Sequence, residues 1–207
     1  MIVTRTRARV DPTPASPMRS FDPHAVGTYE CRAWETYYRR RWAAFLGASI
    51  GMVRAAFRMS WPRTLAGAWL VLRANMKWAP FPDNDPDAAR VLMRRFYAML
   101  ATSERASFDP ARAAELEVEW WRAHRENQHD AGDGSARELV VALRDLYAYT
   151  YGVEPADVEL AAELRAEAMD LSDRWVHDGC DPDAPALAQE RAVLVRSYAA
   201  LLAAVHR

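Results

Sequence analysis

Residues 109–129 read DPARAAELEVEWWRAHRENQH, and this stretch decides the fold class. Asp109 suits a helix N-cap, where a carboxylate accepts from free backbone N–H groups, and Pro110 loses nothing at the first helical position. At about 100° per residue, Ala113, Leu116, Glu117, Trp120, Trp121, His124, Asn127 and Gln128 share one stripe. Glu115, Arg122, Arg125 and Glu126 fall on the far side. The period is that of an amphipathic helix, and it turns Glu117 and His124 toward the core between two tryptophans. An unpaired charge is costly there, so both side chains need partners.

The same punctuation recurs along the chain. Six of the 12 prolines follow an acid, at Asp11-Pro12, Asp22-Pro23, Asp85-Pro86, Asp109-Pro110, Glu154-Pro155 and Asp181-Pro182. Ser135 and Glu138 are spaced as a capping box. These signals predict helices near 23–46 (extending toward 58), 62–78, 86–102, 110–129, 135–151, 155–178 and 184–206. No segment alternates with period two for long enough to make a strand. The connections are short and polar, which sets neighbouring helices antiparallel. The chain of 207 residues thus reads as an all-α, single-domain bundle of about seven mostly antiparallel helices over 21–207, behind a flexible tail over 1–20.

Composition narrows the class. Hydrophobic residues make up 51% of the chain, with 8 Trp, 8 Tyr and 6 Phe, which excludes a disordered protein. Two cysteines, Cys31 and Cys180, form neither a disulfide framework nor a thiolate zinc set, and a reducing cytoplasm fits them. The N-terminal stretch has no apolar core of a secretory signal. Charge-free runs such as Trp42 to Val53 are too short to cross a bilayer core of about 30 Å, so no transmembrane segment is expected.

Net charge is −1, yet the charges are unevenly placed. From Thr36 to Pro82 there is no acid, while Arg39, Arg40, Arg41, Arg54, Arg58, Arg63, Arg73 and Lys77 are interleaved with Trp42, Phe45, Phe57, Trp61, Trp69 and Trp78. Either this basic part docks on the acidic remainder of the chain, or segment 42–78 meets an anionic lipid or protein partner. A pI near 6.5 argues against nucleic acid.

Candidate chemistry centres on the helix of the opening stretch. In the first helix, Cys31, Trp34, Tyr38, Trp42 and Phe45 share a stripe flanked by Glu35, and in the last, Leu187, Leu194, Tyr198, Leu201 and Val205 share one that passes through Arg191. Glu35, Glu117, His124 and Arg191 are therefore expected to meet inside the bundle. Two readings follow. One is a satisfied ion-pair network around Arg191. The other is an enzyme with a small aromatic-walled pocket, in which Glu35, Glu117 and His124 hold iron or manganese or do acid/base work, and Arg191 steadies an acidic substrate group. In general plan the second resembles helical carboxylate oxidases of the ferritin-like or haem-oxygenase-like kind, which would imply redox or oxygen chemistry on a small hydrophobic molecule. Asp170, Asp173 and His177 form a second cluster, expected on the solvated side of a sixth helix opposite Leu160, Leu164, Ala168, Leu171 and Trp175. The string Gly47-Ala48-Ser49-Ile50-Gly51 matches a hydrolase elbow but lies in a helical stretch without the strand that mechanism needs.

Overall fold

A computed structural model describes residues 16–104, 106–129 and 133–206, and these are all-helical. The order is a 3-10 turn over Pro17–Arg19, then α1 (Pro23–Tyr38), α2 (Trp42–Phe57), α3 (Trp61–Trp78), α4 (Pro86–Glu104), α5 (Pro110–His129), α6 (Asp133–Tyr151), α7 (Pro155–His177) and α8 (Pro185–Ala204). Each helix packs on the next and α8 returns to α1, so the bundle closes as a ring. Closure needs a close approach between first and last helices. Gly27 provides it, since a β-carbon there would stand 2.8 Å from the Val195 amide nitrogen.

The acid–proline starts behave as their chemistry dictates at Asp22, Asp85 and Asp109, whose carboxylates accept from the N–H groups of His24 (3.0 Å), Ala88 (2.9 Å) and Ala111 (3.1 Å). Asp181-Pro182 does not open a helix. Asp181 instead turns the chain, accepting from Asp183 N–H and, through its carbonyl, from Trp175 Nε1 at 2.6 Å, and α8 starts at Pro185. The sequence predicts a flexible tail over 1–20. Residues 1–15 lie outside the described residues, but Met18 is buried and Arg19 bonds the carbonyls of Val205 and Tyr151.

Among the described residues there are eight long helices rather than seven, because the first predicted helix breaks after Tyr38. Arg40 adopts left-handed backbone (φ 55°), its N–H donates to Tyr37 O (2.9 Å), and Arg41 N–H donates to Thr36 O (2.8 Å). This is a Schellman ending. The equivalent positions ending α6 and α7 are Gly152 (φ 61°) and Gly179 (φ 96°), residues that enter this conformation without penalty. Arginine pays about 1–2 kcal/mol in steric cost there.

In α7 and α8 the expected apolar stripes are largely buried, with Leu164, Ala168, Trp175, Leu194, Tyr198, Leu201 and Val205 inside, but one residue of each expected line is misplaced. The buried face of α7 runs through Val158, Ala161, Ala162, Arg165, Ala168, Met169, Ser172 and Trp175, while Leu160 is 57% exposed. Leu164 is also buried, so of the leucines on the expected line Leu160 alone is left outside among the described residues. In α8 the inward line is Glu190, Val193, Leu194, Ser197, Tyr198 and Leu201. Arg191 is consequently exposed, and its neighbour Glu190 takes the interior position expected for it.

Candidate functional site

All eight helices line a central cavity of about 190 Å³. Its polar end is built on a buried ion pair, in which Arg165 from α7 donates to Glu30 Oε1 of α1 through Nε (3.1 Å) and Nη2 (2.5 Å). Tyr198 Oη donates to the other Glu30 oxygen at 2.6 Å, and Tyr147 Oη accepts from Arg165 Nη1 at 3.4 Å. Burial opposes the guanidinium charge, but Glu30 and the surrounding phenols hold Arg165 well above its ordinary pKa. A buried pair held this tightly is satisfied.

Across the cavity stands Glu117. Tyr97 Oη donates to its Oε2 at 2.7 Å and Trp121 Nε1 to its Oε1 at 3.2 Å. Burial raises the Glu117 pKa, opposed by Arg165 and by these donors. Burial, then Glu117, also raises Tyr97 well above a usual phenol. The carboxyl faces a cavity and not bulk water, the setting in which a carboxylic acid exchanges protons nearer neutral pH.

A second cavity, of about 240 Å³, adjoins the first. Trp34, Phe45, Asn75, Trp120 and Trp121 line both, so the two spaces share an aromatic wall. The outer cavity is lined by Arg40, Arg125, His124 and His129, with no Asp or Glu among its lining residues. Arg40 donates to Ala79 O (3.1 Å) and lies over the Tyr37 and Trp42 rings. Arg125 donates to Trp78 O (2.9 Å) and stacks 4.4 Å from the Trp78 ring centroid, which withdraws it from the far side of α5 where its sequence position put it. Neither arginine forms an ion pair among the described residues. Burial lowers the Arg125 pKa, and the nearby Arg40 charge adds to that effect. Its Nη1 is buried without a hydrogen-bond partner.

The expected site residues are therefore distributed. Glu117 lines the inner cavity, His124 pairs through Nε2 with Asp173 Oδ2 at 3.1 Å, and Glu35 pairs with Arg39 at 3.0 Å. Arg191 is on the surface and joins none of them. The Glu35, Glu117, His124 set does not fit an iron or manganese ion, since its donors are committed to three separate places. Among the described residues no three His, Cys, Asp or Glu side chains are grouped to share a metal. The chain's one Glu-x-x-His string, Glu126 to His129, lies with both ends exposed, and Glu126 pairs with Arg122. Of the second cluster, Asp173 is partly covered through His124, Tyr38 (3.4 Å) and Gln128 (2.5 Å), Asp170 reaches Asn127 (3.4 Å), and His177 stays in solvent.

Glu30, Tyr97, Tyr147, Arg165 and Glu190 were not anticipated. Arg165 had a legible signal, since it falls on the line through Ala161, Ala162, Ala168 and Met169. No known protein family, curated protein or solved structure matches the chain.

Proposed function

We propose that the protein binds a small amphipathic anion, with the acid group at Arg40 and Arg125 and the apolar body against the tryptophan wall toward the inner cavity. One observation carries this reading: two neighbouring guanidinium groups line a cavity with no carboxylate among its lining residues. Like charges held together without a counter-ion favour an anion between them, and aromatic walls favour an apolar body. Glu117 then faces that body, and in an enzyme of this design it is the group that exchanges a proton with the ligand.

The test is titration calorimetry with decanoate, using decanol as the uncharged control. Decanoate is expected to bind more tightly than decanol to the wild-type chain, and Arg125→Met to weaken decanoate by roughly tenfold or more, the effect of losing a charge-assisted hydrogen bond. Decanol binding should be unchanged. Equal affinities for the two probes, or an Arg125→Met chain that keeps its preference, would overturn the reading.

A further inference from the structure

Among the described residues, four of the eight exposed large hydrophobic side chains lie on α3. Trp61, Leu65, Trp69 and Met76 are exposed by 59, 49, 50 and 42%. Successive steps of about 100° place these four within an arc of roughly 80°, along about 22 Å of helix axis. Isolated apolar residues on a surface are ordinary, but an aligned stripe of this length marks an interaction surface.

Its charge surroundings identify the partner. Arg63, Arg73 and Lys77 are exposed on the same helix, Arg58 is exposed just before it, and Arg94 and Arg95 are exposed on neighbouring α4. None of these six forms an ion pair among the described residues, and within the acid-free block only Arg39 does. The basic part therefore does not dock on the acidic remainder through salt bridges. Arg73 lies 5.9 Å over the Trp69 ring and Arg54 lies 5.2 Å over that of Trp61. A tryptophan and leucine stripe edged by unpaired cations is the pattern of a helix that rests in the headgroup layer. No described helix is long and apolar enough to cross a membrane, so contact would be peripheral.

We propose that the exposed face of α3 docks this protein on an anionic phospholipid surface, tryptophans seated at the acyl boundary and Arg73 and Lys77 on the headgroups. The opposite side of the same helix lines the cavities through Val71, Asn75 and Trp78, which sets them one helix thickness from the lipid.

The experiment is co-sedimentation of the full chain with vesicles of phosphatidylcholine alone or with about 30% phosphatidylglycerol, which makes the surface strongly anionic. Binding is expected to the mixed vesicles only and to fall at high salt. Trp61→Ala with Trp69→Ala should lower partitioning by roughly tenfold or more, and Arg73→Gln with Lys77→Gln by roughly fivefold per charge. All four sites are exposed, so unchanged circular dichroism controls for folding. No binding, equal binding to both vesicles, or binding that survives the tryptophan pair overturns the proposal. So does sedimentation equilibrium showing a dimer that Trp69→Ala dissolves, which would assign the face to a second copy. Decanoate binding is read separately, so failure here leaves the cavity reading standing and the converse also holds.

Discussion

Replacing Glu190 with glutamine should change how stability depends on pH. Glu190 is fully buried in α8 beside Cys31 and Ser172, and neither carboxyl oxygen has a hydrogen-bond partner. Cys31 directs its thiol to the Leu187 carbonyl at 3.5 Å instead. Burial is the main cause that pushes the Glu190 pKa from 4.5 to about 8, with Glu30 and Asp173 adding repulsion. A folded-state pKa above the unfolded value means the folded chain binds more protons between the two, so stability falls as pH rises through that window. At 1.36 kcal/mol per pH unit, the interval corresponds to roughly 4–5 kcal/mol lost between pH 4 and 9, of which roughly 3 is already lost at pH 7. Glutamine keeps the shape and cannot ionise. Urea unfolding at intervals from pH 5 to pH 9 should show the variant gaining on the wild type by roughly 4 kcal/mol as pH rises. Parallel profiles for the two proteins would refute the reasoning.

Four further outcomes are expected. Arg40→Gly, which relieves a left-handed arginine, should leave urea stability within about 1 kcal/mol while weakening decanoate by roughly tenfold in calorimetry. Arg165→Met should lose about 3–5 kcal/mol by stranding Glu30, and Arg165→Met with Glu30→Met should lose less than that single change, as measured by denaturation. Gly27→Ala should cost about 1–3 kcal/mol, because the added carbon meets the α8 backbone and not a movable side chain. Tyr97→Phe removes a donor that lowers the Glu117 pKa, so carbon NMR of labelled glutamate should show that carboxyl titrating at higher pH than in the wild type.

How much of this was legible follows from what each signal measures. Capping is local chemistry, so Asp22, Asp85 and Asp109 marked their helices from sequence alone. The opening helix was also read in the right phase, with Leu116, Trp120 and Trp121 buried and Glu117 on a cavity. The break after Tyr38 was hidden because an arginine holds a position that glycine usually advertises. The phase of α7 and α8 was largely legible, since Leu164, Ala168, Trp175, Leu194, Tyr198, Leu201 and Val205 are buried as expected. What was missed is the buried charge: Arg165 lies in line with the inward alanines of α7, and Glu190, one residue before the exposed Arg191, lies inside α8. The partners of Glu117 were beyond reach for another reason. Tyr97 looks like an ordinary core aromatic until the ring brings α4 against α5, and only then does its hydroxyl find a carboxylate.

The closed ring has a consequence for how the chain is threaded. The two ends of the described fold are tied side by side, with Arg19 Nη1 on Val205 O at 2.7 Å and His206 Nε2 at 2.6 Å from Arg19 O. Every helix has two flanking helices, so the order in which the polypeptide visits them is a matter of where it happens to be cut. A circular permutant joining residue 206 to residue 16 through a short linker, and opened at the exposed Asp181–Asp183 turn, would keep every helix pair except the covalent link between α7 and α8. Its cavities would be the same, and α8 would become the first helix of the fold.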